Sequence, residues 1–257
     1  MKKSHPFAAV IAFLLTLLCV VPFLYVFGKG LIGSDGGFTL GYYYQVFLAQ
    51  SQYLLRFWKS LALSLCIAAG QVFVSLLAGY GFAKCRFPGK NVMFFLLMLL
   101  MIMPLQVTLV PNYLMLDKLE LLDTYYALAL PAIFVPLGTF IMTQSFKSVS
   151  NSVIDAAKLD GCGTWGIICR IAAPMNKSGL VCTMLLSFLD GWNMVEQPIV
   201  YIKDFARYPI SVALGTTPPG DPAIQLVCCI LVVLPPLFLF SYFNRELVEG
   251  IVIGGEK

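Results

Sequence analysis

The chain is short of charge. Asp, Glu, Lys and Arg make up 12% of its 257 residues, whereas hydrophobic residues make up 59%. Soluble proteins average roughly 25% charged and 45–50% apolar residues. One domain of this length could not bury so much apolar surface in its core, so the composition excludes an ordinary soluble protein. Lipid is the solvent that the composition favours.

Histidine is nearly absent, since His5 is the only one. Ser-His-Asp catalysis needs a histidine to accept the proton, and a structural zinc site would need His and Cys ligands with a C-x-x-C spacing that the chain lacks. Composition alone leaves Ser–Lys or carboxylate-pair chemistry open, but no constellation of residues indicates it. We therefore expect no catalytic residue, no metal and no enzymatic activity of the chain's own.

Phosphate-binding and proton-relay residues are scarce as well. The chain has no G-x-x-x-x-G-K-[ST] loop, whose backbone amides would hold a nucleotide. Proton-coupled carriers usually place Asp, Glu or His inside their spans. Of the thirteen acidic residues only Asp190 lies within an apolar segment away from its end, since Glu196 is near the end of the same segment. If the chain takes part in active transport, a partner must bind the ATP, and we expect no cofactor in the chain itself.

Long apolar runs are what the chain has instead. Six segments approach the length of about 20 residues that a helix needs to cross a bilayer, namely about 7–27, 60–83, 92–110, 124–143, 179–200 and 223–243. The predicted fold class is an all-α integral membrane protein with six transmembrane helices. The first run is longer than a signal-peptide core. We therefore expect residues 1–59 to form an uncleaved transmembrane anchor with an outer loop, and residues 60–257 to form a core of five transmembrane helices.

Basic residues are distributed unequally between the predicted loops. With the N-terminus placed inside, eleven fall on the inner side and six on the outer side, which favours both termini in the cytoplasm. The inner residues are Lys2, Lys3, Lys84, Arg86, Lys90, Lys147, Lys158, Arg170, Lys177, Arg245 and Lys257. No basic stripe with interleaved aromatic residues is present, so we expect membrane lipid and no nucleic acid as a partner.

The longest inner loop, residues 147–177, has structure of its own in the sequence. Ser150 or Asn151 can cap a helix at its start, and Gly161 can end that helix in the left-handed conformation. Thr164 can cap a second short helix that ends near Pro174. The loop is therefore predicted to be a helix–turn–helix across the inner ends of the spans. From these residues alone, an amphipathic segment resting on the membrane surface remains an equal alternative.

Two stretches of this loop resemble a known family signature. They are Asp155-Ala156-Ala157-Lys158-Leu159-Asp160-Gly161 and Ile171-Ala172-Ala173-Pro174. They resemble the coupling loop of binding-protein-dependent ABC importer permeases, which reads Glu-Ala-Ala, three residues, Gly, nine residues, Ile-x-Leu-Pro. Asp155 stands where the family has Glu, and Ala173 where it has Leu. Further stretches, in residues 83–90, 103–111, 122–125, 191–193 and 243–255, are similar to the carbohydrate-type, maltose-like branch.

The resemblance implies a function for this loop. It would dock on a cytoplasmic ABC ATPase dimer that binds ATP, and Asp155, Ala156, Ala157, Asp160 and Gly161 would be the ATPase-coupling residues. The other implied partners are a second permease subunit in a heterodimer and an extracytoplasmic solute-binding protein. The chain would then be a permease subunit of an ATP-driven importer for a carbohydrate or related small solute in the bacterial cell membrane. The alternative is a membrane scaffold or channel-like protein that uses the loop only as a surface anchor.

A second group of candidate residues lies at the outer end of the fifth apolar segment. Asp190, Trp192, Asn193 and Glu196 could contact the solute in the pathway or the external binding protein. They could equally cap and anchor this end of the segment. Trp192 in particular favours an anchoring or packing role over a platform for a sugar.

Overall fold

The computed structural model of the chain describes residues 6–33, 36–46, 51–216 and 222–255. Across these ranges the structure is helical, and its one β-feature is an isolated bridge between Ile32 and Phe38. The prediction of an all-helical chain is therefore confirmed for the part that the structure describes. Three of the basic residues assigned to the inner side, Lys2, Lys3 and Lys257, lie outside the described residues.

Long helices alternate with short ones along the chain. The first half contains α1 (Pro6–Gly30), α2 (Gly41–Tyr44), α3 (Ser51–Lys84), α4 (Lys90–Ile102), α5 (Leu105–Lys118), α6 (Tyr125–Ile133) and α7 (Pro136–Lys147). The second half contains α8 (Asn151–Leu159), α9 (Thr164–Gly166), α10 (Ala173–Met175), α11 (Lys177–Trp192), α12 (Glu196–Tyr201), α13 (Ile210–Thr216) and α14 (Pro222–Gly255). A π-helical segment, Ile167–Ala172, joins α9 to α10, and a 3₁₀ turn, Phe205–Arg207, precedes α13.

Helix α3 lies at the centre of the bundle, because it packs along both α7 and α11, while α14 packs on α11 and α1. Small residues let α3 approach both α6 and α7 closely, as is usual between helices in membranes. A Cβ atom on Gly79 would lie only 2.6 Å from Cβ of Met142, and one on Gly70 would lie 2.7 Å from Cδ1 of Ile133. At both glycines the backbone of α3 lies directly against a side chain of the neighbouring helix, and there is no room for an added methyl group.

Several helical stretches are long and apolar enough to cross a bilayer. Within the described residues there are four, Phe13–Gly30, Tyr53–Lys84, Tyr125–Lys147 and Ala223–Glu246, and the bent pair α4 and α5 makes a fifth if it is counted as one span. They correspond to five of the six predicted segments. The remaining predicted segment, 179–200, contains α11, which has 16 residues and is shorter than the roughly 20 needed for a complete crossing.

Two predicted segments differ from the helices observed. The third is broken at Pro104, where α4 and α5 are inclined at 105° to each other. Met103 has an extended backbone, as expected for a residue before proline, because the proline ring disfavours the helical conformation there. The second segment is longer than predicted, since α3 begins at Ser51 and not at residue 60. The predicted boundary between residues 59 and 60 thus lies inside a helix.

Long-range contacts define two ends of the bundle. At one, the α8 end, Lys84 at the end of α3 contacts Asn151 at the start of α8. At the other, the α13 end, the amide of Ile210 donates a hydrogen bond of 2.8 Å to Oγ of Ser60 near the start of α3. Helix α11 runs from the α8 end to the α13 end and is about 24 Å long at 1.5 Å per residue.

Candidate functional site: the helix–turn–helix of residues 147–177

The predicted loop begins and ends where the sequence indicates, since α7 ends at Lys147 and α11 begins at Lys177. Its first helix, α8, starts after Ser150, whose side chain accepts a hydrogen bond of 3.2 Å from the amide of Ser152. A serine at this position satisfies one of the amides that the first helical turn leaves without an intrahelical partner. The predicted cap is therefore confirmed.

The turn after α8 is made by Gly161, which has φ of +79°. The amide of Cys162 donates to the carbonyl of Ala157 at 2.9 Å, and the amide of Gly161 donates to that of Lys158 at 3.0 Å. These two bonds are the Schellman pattern, which requires a left-handed residue just past the helix. A Cβ atom on Gly161 would meet no atom within 4 Å, so the requirement for glycine comes from the backbone conformation alone.

The second helical arm differs in detail from the prediction. Thr164 is its first helical residue and not its cap, because Gly163 holds the extended cap position. The arm then widens into the π-helical segment and ends at Asn176, whose backbone is not helical. Nδ2 of the buried Asn176 donates to the carbonyl of Ala172 at 2.9 Å, and Oδ1 accepts from Oγ of Ser148 at 3.2 Å. Asn176 thus joins the second arm to the end of α7.

The underside of the helix–turn–helix is apolar and buried. Ile154 and Ala157 of α8, together with Ile167 and Ile168 of the second arm, belong to one cluster of buried side chains. The members of that cluster in the helices beneath are Leu76, Tyr80, Met142 and Phe146. Both arms are therefore fixed to α3 and α7 by burial of apolar surface.

The outward face of α8 is uncovered. Ala156 and Asp160 are exposed, and the side chain of Leu159 is 90% exposed. Asp155 is 3.5 Å from Lys158, and both side chains are well exposed, so the ion pair contributes little to stability. Of the five predicted coupling residues, Ala157 lies in the buried face and the other four are exposed.

Sequence reasoning did not identify Lys84 as part of this site. Its Nζ donates to the carbonyl of Val149 at 2.5 Å and to Oδ1 of Asn151 at 3.0 Å. Lys84 therefore ties the end of α3 directly to the start of α8. The bonded residues are separated by 65 and 67 positions, and no local pattern announces such a contact.

The other four candidate residues lie at the α13 end, away from the helix–turn–helix. Trp192 is fully buried, and its Nε1 donates to the carbonyl of Val232 at 2.9 Å. Its ring stacks on Phe188 at 5.8 Å between centroids and meets Phe57 edge-on at 5.6 Å. Trp192, at the end of α11, therefore packs between α3 and α14.

Asp190, Asn193 and Glu196 are exposed in this chain. Asp190 lines a small pocket between α3, α7 and α11, together with Gln71, Ser187 and apolar residues such as Leu137. Asn193 is the C-terminal cap of α11. Glu196 begins α12 and accepts hydrogen bonds of 2.9 Å and 3.1 Å from Nε2 of Gln106. The structure thus brings the second candidate group to one end of α11 but not into contact with the first.

A family of transport proteins matches most of the helical core. The sequence model for the family described as "Binding-protein-dependent transport system inner membrane component" matches residues 71–247. The matched range begins within α3 and extends into α14, so it includes the helix–turn–helix.

Several curated proteins are similar over most of the chain. The arabinooligosaccharides transport system permease protein AraQ of Halalkalibacterium halodurans is 30% identical over 233 residues, which cover 90% of this chain and 84% of that protein. AraQ of Bacillus subtilis is 30% identical over 215 residues, which cover 82% and 76%. The sn-glycerol-3-phosphate transport system permease protein UgpE of Escherichia coli K12 is 27% identical over 212 residues, which cover 76% and 73%.

One solved structure has a similar fold over nearly the whole chain. It is a crystal structure of a bacterial ABC transporter involved in the import of the acidic polysaccharide alginate. The TM-score is 0.75 at 20% sequence identity, and the match covers 95% of this chain and 98% of the other. At this identity the likeness concerns the fold.

Proposed function

This chain belongs to the family of inner membrane components of binding-protein-dependent transport systems, and from that premise we propose how it works and what it carries. The chain is a multi-pass permease subunit of an importer. The proposed solute is a carbohydrate or a related small hydroxylated compound, because the similar permeases are named for arabinooligosaccharides and for sn-glycerol-3-phosphate. ATP hydrolysis on a partner subunit drives its import.

The observation on which this proposal rests is the uncovered outward face of α8. Its underside is buried against α3 and α7, so the helix is held firmly, yet Leu159 is almost fully exposed. An apolar side chain at the tip of a fixed helix favours a partner that supplies a matching cleft. We infer that this partner is a cytoplasmic ATPase subunit and that Asp155, Ala156, Asp160 and Gly161 border the contact.

Six passes through the membrane are the topology that we propose. The successive passes are α1, α3, α4 with α5, α6 with α7, α11 with α12, and α14. In support, Gly30 at the end of α1 lies beside Val227 near the start of α14. Lys177 at the start of α11 pairs at 3.3 Å with Glu246, farther along α14. Helices α1 and α14 therefore run between the same two ends in opposite directions.

We propose that the α8 end is cytoplasmic and that both termini lie on that side. Basic residues support this orientation, because short cytoplasmic loops carry an excess of Lys and Arg. Those at the α8 end are Lys84, Arg86, Lys90, Lys147, Lys158, Arg170, Lys177 and Arg245. Those at the α13 end are Lys29, Arg56, Lys59, Lys118, Lys203 and Arg207.

The remaining partners follow from this orientation. The α13 end would meet the solute-binding protein, and Asp190, Asn193 and Glu196 would lie near that contact or the mouth of the pathway. Trp192 would support this region from within the bundle. A second permease subunit would complete the pathway, and the exposed apolar faces of the bundle offer the surface for it and for lipid.

The test is retention of the ATPase by two leucine variants. Leu159→Glu replaces the exposed leucine of α8, and Leu119→Glu replaces another exposed leucine at the end of α5, at the α13 end. Burying a leucine is worth roughly 1.5–3 kcal/mol, so Leu159→Glu is expected to weaken ATPase binding about tenfold or more. Leu119→Glu is expected to bind as the wild type does.

The measurement is the amount of ATPase subunit and of ATP hydrolysis that co-purifies with each variant at equal permease abundance. Equal loss in both variants would contradict docking at α8. If the wild-type permease co-purifies with no ATPase, and shows no solute uptake when an ATPase is added, the result would favour the scaffold alternative over the importer.

A further inference from the structure

Asp123 occupies an unusual place in the turn between α5 and α6. It is one of two non-glycine residues in the described part of the chain with a positive φ, +58°. Only a few per cent of non-glycine residues adopt this conformation, and Asp and Asn are enriched among them. The turn also lies at the α13 end, far from the helix–turn–helix. An aspartate in this conformation is of interest because its carboxylate makes specific contacts.

The carboxylate and backbone of Asp123 all contact one segment, residues 201–207. Oδ1 accepts hydrogen bonds of 3.0 Å from the amides of both Lys203 and Asp204. The amide of Asp123 donates to the carbonyl of Tyr201 at 2.9 Å. Arg207 completes the set, since Nη1 donates to the carbonyl of Asp123 and lies 3.2 Å from Oδ2.

The exposed part of this segment, residues 203–207, lies between the buried residues Ile202 and Tyr208. All five residues from Lys203 to Arg207 are exposed, so burial of apolar side chains does not fix their backbone. Asp204 adds a local turn by accepting from the amide of Ala206 at 2.9 Å, and it pairs with Arg207 at 3.5 Å. The buried side chains fix both ends of the exposed stretch in the core, and the conformation of the backbone between them depends on these local bonds and on Asp123.

We propose that Asp123 is a positioning residue that holds residues 201–207 in the conformation to which the external solute-binding protein docks. This inference rests on the proposed function for the existence of that partner. Asp123 makes no contact with the solute and acts through the backbone of Lys203 and Asp204 and the guanidinium of Arg207. Hydrogen bonds to an ionised carboxylate are stronger than neutral ones, which suits a single side chain that orders an exposed segment.

Two substitutions separate the carboxylate from the backbone conformation. Asp123→Gly keeps the positive φ without strain but removes every hydrogen bond of the side chain. Asp123→Asn also tolerates the positive φ, and its amide oxygen can still accept from Lys203 and Asp204. The charge beside Arg207 and the hydrogen bond from its Nη1 to Oδ2 are then lost. A purely conformational role predicts that both variants behave like the wild type, whereas a positioning role predicts a graded defect.

The first measurement is amide hydrogen exchange of the purified permease–ATPase complex. Asp123→Gly is expected to accelerate exchange at Lys203 and Asp204 at least tenfold and to leave the interior of α11 unchanged. Asp123→Asn is expected to change it about threefold or less. Unchanged exchange in Asp123→Gly would overturn the positioning role of Asp123. Faster exchange throughout α11 would show that Asp123 has a general role in folding and no specific role in positioning this segment.

The second measurement is ATP hydrolysis by the reconstituted complex at increasing concentrations of its solute-binding protein loaded with an arabinooligosaccharide. In Asp123→Gly the half-saturating concentration is expected to rise about tenfold, which corresponds to roughly 1.4 kcal/mol, while the saturated rate and the bound ATPase stay within about twofold. A normal half-saturating concentration would overturn the proposal. A wild-type complex that hydrolyses ATP without any response to the binding protein would count against the proposed function, even if the exchange results show that Asp123 orders residues 203–207.

Discussion

Two elements at opposite ends of the bundle, the helix–turn–helix and the exposed segment 203–207, are held by different kinds of interaction. At the α8 end, both arms of the helix–turn–helix bury apolar side chains against α3 and α7, with residues such as Ile154 and Phe146 nearly inaccessible. At the α13 end, the exposed segment 203–207 is held by one carboxylate, one guanidinium and backbone amides. The helix–turn–helix is held over a broad apolar surface, whereas segment 203–207, between the buried residues Ile202 and Tyr208, relies on a few polar contacts.

The difference suits the roles proposed for the two ends. An element that receives force from an ATPase must move together with the spans, and burial of apolar surface links α8 to α3 and α7 in that way. An element that meets a partner from outside must keep its shape without being part of the core.

The largest effect is expected from Gly161→Val at the α8 end. The left-handed conformation of this residue costs a side chain about 1–2 kcal/mol, and a β-branched valine tolerates it poorly. We expect a roughly five- to thirtyfold loss of ATPase retained by the membrane-inserted permease, with a parallel loss of transport in proteoliposomes. Both quantities are normalised to permease abundance.

Gly163→Val is the matched control for this change. Gly163 has φ of −67°, and a Cβ atom there would also meet nothing within 4 Å. Valine is therefore tolerated two positions away from Gly161 in the same turn. If both variants lose the ATPase equally, added bulk at the docking surface explains the result, and the conformation of Gly161 does not.

A smaller effect is expected from Lys84→Met, which cuts the link between α3 and α8 but leaves the apolar cluster in place. Loss of the two hydrogen bonds is worth roughly 1 kcal/mol, so transport is expected to fall about fivefold. Lys90→Met removes the same charge from the same end, but its Nζ bonds only the nearby carbonyl of Cys85 at 3.0 Å. The transport rates of the two variants are compared at equal ATPase occupancy. A lower rate in Lys84→Met than in Lys90→Met would support the role of the hydrogen bonds between α3 and α8, and equal rates would refute that role.

The smallest effect concerns pH at the α13 end. Hydrogen bonds from the amides of Asp204 and Lys203, and then the charge of Arg207, lower the pKa of Asp123 below its ordinary value of 3.8. A carboxyl whose pKa is lowered by folding stabilises the fold fully above its unfolded pKa and loses that contribution as the pH falls through the folded pKa. Exchange protection at Lys203 and Asp204 is thus expected to be constant from pH 7 to 5 and to fall only below about 4.

Asp123→Asn provides the reference for this experiment because its side chain does not titrate. The difference in protection between the wild type and Asp123→Asn, measured at each pH, isolates the contribution of the carboxylate from that of other acids. A change in this difference between pH 7 and 5 would show that another group, and not Asp123, controls the segment.

The sequence predicted those features of the fold that depend on neighbouring residues. The cap at Ser150 and the turn at Gly161 follow from rules that operate within four or five positions, and both are present. The apolar runs gave most of the candidate spans because length and composition decide them. The role of α8 as an ATPase contact remains a prediction, since it depends on a partner.

What the sequence did not predict depends on contacts between distant residues or on backbone geometry. Lys84 and Asp123 bind segments 65 or more positions away, and their side chains have no local signature for those contacts. The third segment was predicted to be continuous, whereas its two helices, α4 and α5, are inclined at 105° to each other. The π-helical widening of Ile167–Ala172 had no signal in the sequence that we can identify.

The break at Pro104 has a consequence for the thickness of the surrounding bilayer. Helix α4 has 13 residues and is about 20 Å long, and α5 turns away by more than a right angle, so it adds no height in the direction of α4. The hydrocarbon core of a bilayer is about 30 Å thick. Phe95 and Ile102 of α4 are exposed apolar residues. Where lipid and not the second permease subunit covers them, the lipid chains would contact an apolar wall that is too short for them. Such a mismatch costs fractions of a kcal/mol per ångström, so the permease is expected to be sensitive to the acyl-chain length of its membrane.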